Sequence, residues 1–519
     1  MNPFSPLGAP GPFFGSSPIK LEPKPMPWEE PLQVKGPALS PDQFGVGLPR
    51  VDLQIGEPKL PPLTADELRG TPPGGLGPRR VEASPKPQQK VESSPLGAAA
   101  KAEGGRALAM EAPLDPKHPY VATQASARDE LKALGINGVS KDRIHVADLD
   151  SEHGGQVLRT AAGKTSLVRG AEVSLDYSSP DVAAVRRYAT PEQAQRFEAS
   201  QANRGPANNV GEVLDRAATA IELEPIERRA RLGIINDEAA KANDGKKTFV
   251  NMSYNTSVEQ AARGATVMLA QAQPGTEAHE QVVKVLGHEP RITRPFGGGV
   301  MLDKEDGEAI KKALVTPGLM ERLERPESLA RAAEARAGLE AEVARGREHG
   351  VMVFLSAGNT GDSAARDATV ANSRSTADGV RGILTIGAAD MGTVRKGDER
   401  VADFSSDGKI HVAAPGVRIP VGVGASADGK TIAQDVDGTS FASPYAAQTA
   451  ALMASANPKL SIADLERLMA DPRVALDLPN TTRDGAGLID PVNAALVARN
   501  PNITAAEIAR LRASVQPRR

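Results

Sequence analysis

Four kinds of side chain that together could carry out acyl transfer stand in order along this chain. They are carboxylates at Asp148 and Asp150, an imidazole at His153, an amide at Asn359 and a hydroxyl at Ser440. A serine hydroxyl needs a base to take its proton, and the base needs a carboxylate to fix its tautomer and stabilise the imidazolium. The tetrahedral oxyanion then needs donors aimed at it. Each residue taken singly has a plainer reading: a serine before an apolar run is usually a helix cap, an asparagine after a strand a turn residue, a lone histidine a surface group. The order and the surroundings of the four make the set worth reading together.

Those surroundings are strand ends. "RIHVADLD" (143–150), "KTFVNMS" (247–253), "GVMVFLSAGN" (350–359), "GILTIGAAD" (382–390) and "IHVAAPG" (410–416) are short runs, several of them apolar on both parities. That pattern predicts parallel strands covered on both faces. Helical periodicity lies between them; after Pro326, for example, Leu329, Ala332, Ala335, Leu339 and Val343 recur at spacings of three and four, and Gly350 closes the segment. Alternating strands and helices predict an α/β fold, a mostly parallel central sheet with helices on both faces. Such sheets build their sites beyond the carboxyl ends of the strands. Asp148 and Asp150 end the first such run and Asn359 another, His153 opens the helix after the first, and Ser440 follows the Gly438-Thr439 turn and leads into a helix.

Composition bounds the rest. Of the 42 prolines, 24 fall in residues 1–120, where segments such as "LEPKPMPWEEP" show no period. This stretch is expected to be a disordered Pro-rich tail, serving as a tether or a removable pro-segment. Residues 121–500 form the expected folded domain, and 501–519 a basic C-terminal helix or tail. With net charge −3 nothing draws the chain to nucleic acid or an anionic membrane, and no apolar run is long enough to span one. The absence of cysteine excludes disulfides, thiolate metal sites and a cysteine nucleophile. The N-terminus lacks the pattern of a signal peptide, which favours a cytoplasmic or non-classically exported protein and leaves secretion as the open alternative. The sequence specifies no oligomeric state.

The motifs resemble those of the subtilisin-like serine proteases (subtilases, peptidase family S8). "GTSFASP" (438–444) is similar to the family's Gly-Thr-Ser-Met-Ala-x-Pro, departing only at Phe441. "SAGN" (356–359) resembles Ala-Ala-Gly-Asn, "HGGQV" (153–157) resembles His-Gly-Thr-His-Val, and "ADFSSDGKIHVAAPGV" (402–417) and "GAGLIDPVNAA" (485–495) resemble later family segments. The resemblance runs over roughly residues 140–497, and the order Asp, His, Ser is that of the family. It implies Ser440 as nucleophile, His153 as general base and Asn359 as oxyanion donor. For the acid, the longer register match favours Asp150. The cost of burying a charge in a parallel strand without a partner argues instead for Asp148. Both stay open.

On the substrate side, family members pair an extended peptide with a strand carrying Ser-Leu-Gly-Gly. Here "SYNT" stands there, so the resemblance implies Ser253, Tyr254 and Asn255, with Gly358, as substrate-binding residues, in a narrower and more polar pocket. Residues 257–327 form a helical insertion, expected as a surface decoration or a lid beside the cleft. No carboxylate cluster has calcium-loop spacing, so the structural calcium common in the family finds no support, and no cofactor is required. The reading favoured is a serine endopeptidase acting on protein or peptide substrates. The alternative, an inactive subtilisin fold kept as a peptide-binding scaffold, draws on the short acid-to-histidine connection and the altered substrate strand.

Overall fold

The structure is a computed structural model, and it describes residues 95–148, 151–177, 180–202, 207–254, 258–293, 301–359, 380–391, 400–406, 409–425, 430–478 and 485–515. The expected tail up to residue 94, Asp150 and Asn255 lie outside the described residues. The elements in chain order are α1 (Pro95–Ala109), α2 (Pro119–Ala133), β1 (Arg143–Ala147), α3 (Ser151–Ala162), β2 (Glu172–Asp176), α4 (Val182–Tyr188), α5 (Pro191–Ala202), α6 (Val210–Ala242) and β3 (Thr248–Met252). There follow α7 (Val258–Ala270), α8 (Glu277–Leu286), β4 (Ile292–Thr293), β5 (Met301–Leu302), α9 (Lys304–Ile310), a π-helical turn, α10 (Thr316–Leu323), α11 (Pro326–Glu348), β6 (Val351–Ser356), β7 (Ile383–Asp390), β8 (Arg400–Val401) and β9 (Val412–Pro415). The chain continues with β10 (Ile419–Ala425), β11 (Thr431–Val436), α12 (Thr439–Ala456), α13 (Ile462–Met469), β12 (Ala475–Leu476), β13 (Leu488–Ile489), α14 (Pro491–Arg499) and α15 (Ala505–Val515).

All five predicted strands are present, in one sheet ordered β2-β1-β3-β6-β7-β9-β13-β12, with β8 on β7. Every neighbouring pair from β2 to β13 is parallel; only β12 and β8 join antiparallel. The double-sided apolar runs divide by parity as a pleat requires. Met352 and Phe354 of β6 face one core with α3, α12 and α14, while Val351, Val353 and Leu355 face the other with α6 and α11. Helices therefore cover both faces, as the double-sided runs predict. The chain runs to β2 on one side of β1 and to β3 on the other, so the strand order reverses at β1/β3. That is the switch point beyond which a crevice opens.

Several elements differ from the sequence expectation. Among the described residues, helix α1 (Pro95–Ala109) already stands before residue 121. The alanine-rich "GAAAKAEGGRALA" favours helix, and Gly104 lets α1 lie directly on β2: a Cβ there would sit 3.1 Å from Ser174 Cα. Between residues 258 and 323 the helices α7–α10 and the short pair β4–β5 share a core (Ala265, Leu269, Val282, Ile310, Leu319) built on the first half of the 33-residue α6. The 501–519 stretch contains helix α15, whose Arg512 pairs with Glu130 and Asp490.

Candidate active site

Asp148 directly follows β1 and is fully buried. Its main-chain N–H donates to Asp176 O at 2.8 Å, and its C=O accepts from Arg231 Nη1 at 2.7 Å, so the backbone is held on both sides of its Cα. Its carboxylate Oδ2 lies 2.8 Å from His153 Nδ1. His153 sits in the first turn of α3, which packs closely because its neighbour is glycine: a Cβ on Gly154 would stand 2.8 Å from Leu175 Cδ1 and 3.0 Å from Asp148 Cβ. With the buried carboxylate on Nδ1, Nε2 is the ring nitrogen through which a proton would be exchanged. The imidazole is 29% exposed, enough to meet a reactant at the crevice. The carboxylate found on the imidazole is that of Asp148, the residue favoured by burial; Asp150, favoured by the register match, lies outside the described residues.

Ser440 stands at the second position of α12, after Gly438, whose φ of 154° suits glycine. A main-chain N–H so near a helix start has no partner within the helix. Pro444, four residues on, has no N–H to give to the Ser440 carbonyl. That carbonyl instead accepts from Ser253 Oγ at 2.9 Å, while Ser440 Oγ donates to Ser253 O at 3.2 Å. Behind this reciprocal pair lies a buried chain: Asn251 Nδ2 donates to Ser253 Oγ (2.7 Å) and Ser443 Oγ donates to Asn251 Oδ1 (2.6 Å). The helix start and the end of β3 are therefore locked together. The ring of Phe441, next to Ser440, is 5.8 Å from the His153 ring, which brings the serine turn and the imidazole to one place.

Asn359 follows β6, the neighbour of β3. Its Oδ1 accepts from Thr439 N (3.0 Å) and Thr439 Oγ1 (2.8 Å). A main-chain N–H can only donate, so this contact fixes which end of the amide is oxygen and directs Nδ2 away from Thr439. The Nδ2 group and the Ser440 N–H are then two donors flanking the serine turn. Gly358 is bound within the fold: its N–H donates to Thr439 Oγ1 (3.1 Å) and its C=O accepts from Ser406 N (3.0 Å). Tyr254 is buried, with burial raising its phenol pKa, and its ring packs on Arg228 and Arg231 of α6.

Of the residues singled out in the sequence, the structure brings together Asp148, His153, Ser253, Asn359 and Ser440. Asn251, Thr439 and Ser443, which support them, were not singled out. The signal for Asn251 was a polar residue inside an apolar strand, and that for Ser443 its place in "GTSFASP". Arg228 and Arg231 also escaped notice, although charges at i and i+3 interrupt an apolar helix face. Among the described residues no group of three or more His, Asp or Glu could hold a metal ion, and no helix is long and apolar enough to cross a membrane.

A parallel sheet that gathers acid, imidazole, hydroxyl and amide at its switch point defines a hydrolase-like α/β site. Residues 227–483 match the model of the Subtilase family (Peptidase_S8), so over that stretch the chain is similar to this family. The match takes in Asn251, Ser253, Asn359 and Ser440 but starts after Asp148 and His153, which the parallel pairing of β1 with β3 brings to it. Bacillopeptidase F of Bacillus subtilis (strain 168) is 33% identical over 100 residues, a stretch that is 17% of this chain and 7% of that protein. Similar solved structures include fervidolysin from Fervidobacterium pennivorans, a keratinolytic enzyme related to subtilisin (14% identity, 74% of this chain and 47% of that one, TM-score 0.37). They also include the MycP3 protease of the type VII (ESX-3) secretion system (16% identity, 74% and 89%, TM-score 0.37).

Proposed function

We propose that the chain is a serine endopeptidase in which Ser440 is the nucleophile, His153 the general base and Asp148 the acid that orients it. The observation that carries this reading is the 2.8 Å contact between the buried Asp148 carboxylate and His153 Nδ1 beside the Ser440 turn. Asp148 would hold the imidazole with Nε2 unprotonated and stabilise the imidazolium once it forms. Ser440 Oγ, which here donates to Ser253 O, would turn about χ1 to give its proton to Nε2 and attack the scissile carbonyl. The oxyanion would be held by Asn359 Nδ2 and the Ser440 N–H. His153 would then protonate the leaving amine, and water activated by the same base would release the acyl group. Residues 253–255 would pair with an extended substrate by strand addition.

The test is cleavage of fluorescein-labelled unfolded casein by the purified full-length chain. Activity that disappears in Ser440→Ala, with folding intact, supports the reading. A folded wild-type protein that cleaves neither casein nor other unfolded polypeptides favours the scaffold alternative instead.

A further inference from the structure

Helix α6 carries Glu224, Arg228 and Arg231 on one stripe, at i, i+4 and i+7, and all three are buried, with exposures of 3%, 0% and 2%. Burying such charges is costly, and an apolar stripe of similar volume would commonly serve stability as well or better. What the charges do is specific. Arg228 pairs with Glu224 (Nε to Oε1, 2.9 Å), and its Nη2 donates to the main-chain carbonyl of Tyr254. One turn on, Arg231 Nη1 donates to the main-chain carbonyl of Asp148 at 2.7 Å. The two guanidinium carbons stand 4.3 Å and 5.0 Å from the centroid of the same ring, Tyr254. Two arginines one turn apart on one helix therefore grip the ends of adjacent strands, β1 where the acid stands and β3 where Ser253 and Tyr254 stand, with one aromatic ring between them.

We infer that Arg228 and Arg231 are positioning residues with divided tasks: Arg231 fixes Asp148, and through it His153, while Arg228 fixes the segment that pairs with the substrate. The inference rests on the peptidase reading given above. Asp148 follows the last strand residue, so its carbonyl lies where sheet pairing ends; with its N–H on β2 and its C=O on Arg231, the peptide units on either side of its Cα are held and with them the direction of the carboxylate. Tyr254 is likewise beyond the last residue of β3, and Arg228 supplies the donor for its carbonyl. The Tyr254 hydroxyl is buried without a hydrogen-bond partner among the described residues, so the tyrosine holds the two guanidiniums through its ring.

The test uses the full-length chain and two readouts. One is the rate at which a small fluorophosphonate labels Ser440, which needs the base and acid but no paired peptide backbone. The other is kcat and KM on unfolded casein. Arg231→Met is expected to slow labelling and lower kcat together, by about 10- to 100-fold, because a misplaced catalytic group costs about that much. Arg228→Met is expected to raise KM for casein by about tenfold, and to affect KM more than labelling. Tyr254→Leu should show both defects, with Tyr254→Phe restoring most of the loss. If a Met variant does not fold, Arg231→Lys and Arg228→Lys, which keep the charge but lose the planar fork, should show the same divided pattern more weakly. Arg228 and Arg231 variants that fold and share one kinetic profile, or change only the melting temperature, overturn the inference. Absence of labelling in the wild type overturns the peptidase reading and this inference with it. Labelling in the wild type with unchanged variants overturns the inference alone.

Discussion

Replacing Asp148 with asparagine keeps the shape of a fully buried side chain and removes its charge. The carboxylate lies 2.8 Å from His153 Nδ1, so the charge centres of carboxylate and imidazolium are about 4 Å apart; at an effective dielectric of about 20 their attraction is worth about 4 kcal/mol. Asparagine can also present its N–H to Nδ1, which puts the ring proton on Nε2, where it blocks acceptance of the serine proton. A loss of about 4 to 5 kcal/mol of transition-state stabilisation corresponds to a fall of about 10³ to 10⁴ in kcat, in line with the same change in other Ser-His-Asp enzymes. KM should change little, since the substrate does not touch this residue. The assay is steady-state cleavage of labelled unfolded casein by wild type, Asp148→Asn and Asp150→Asn, with melting curves to confirm folding. The reasoning predicts the larger loss at Asp148. If Asp150→Asn is the inactive variant and Asp148→Asn retains a tenth or more of wild-type kcat, the assignment of the acid is refuted.

Other outcomes follow from the same geometry. Asn359→Asp keeps an acceptor for the Thr439 N–H and hydroxyl but loses the donor, so kcat should fall at least about 10²-fold with the melting temperature nearly unchanged. Gly154→Ala would drive a Cβ to within 3.0 Å of Asp148 Cβ and 2.8 Å of Leu175 Cδ1, and should lower kcat by pushing α3 and His153 off the acid; an unchanged kcat would show that α3 yields freely. Asn251→Ala strips Ser443 and Ser253 of their shared partner in a buried chain and should cost about 1 to 3 kcal/mol in urea unfolding. Burial lowers the pKa of His145, whose Nδ1 lies 2.7 Å from Ser174 Oγ. Its unfolded form titrates near pH 6.5, so the unfolded state binds more protons below that pH. Stability present above pH 6.5 should be lost as the pH falls, at up to about 1 kcal/mol per unit, and His145→Gln should flatten that part of the urea-midpoint profile.

The sheet was legible because its central strands are apolar on both faces, a pattern that only parallel strands between helical layers need. β2 was not, since "EVSLD" lies at the sheet edge, with only Leu175 buried, and has little apolar signal. The β10–β11 hairpin was missed because Gly422 and Gly424 interrupt β10 and β11 is largely exposed. At the site, Ser440 and Asn359 stood out because each lies in a motif at a strand end or helix start. The acid was harder: two aspartates two residues apart satisfy the same spacing. A carboxylate buried at a strand end needs a partner, and Asp148 has His153, while Asp150 lies outside the described residues. The arginine pair on α6 was hidden for another reason. Its partners are main-chain carbonyls, which carry no signature in sequence.

The central claim is that Ser440 is a nucleophile activated by His153 and Asp148. Its most direct test is the intact mass and peptide map of full-length protein treated with a fluorophosphonate. The account predicts one covalent adduct, on the peptide containing Ser440, absent in Ser440→Ala and formed far more slowly in His153→Ala and Asp148→Asn. A folded protein that forms no adduct, or one modified at a different serine, contradicts it.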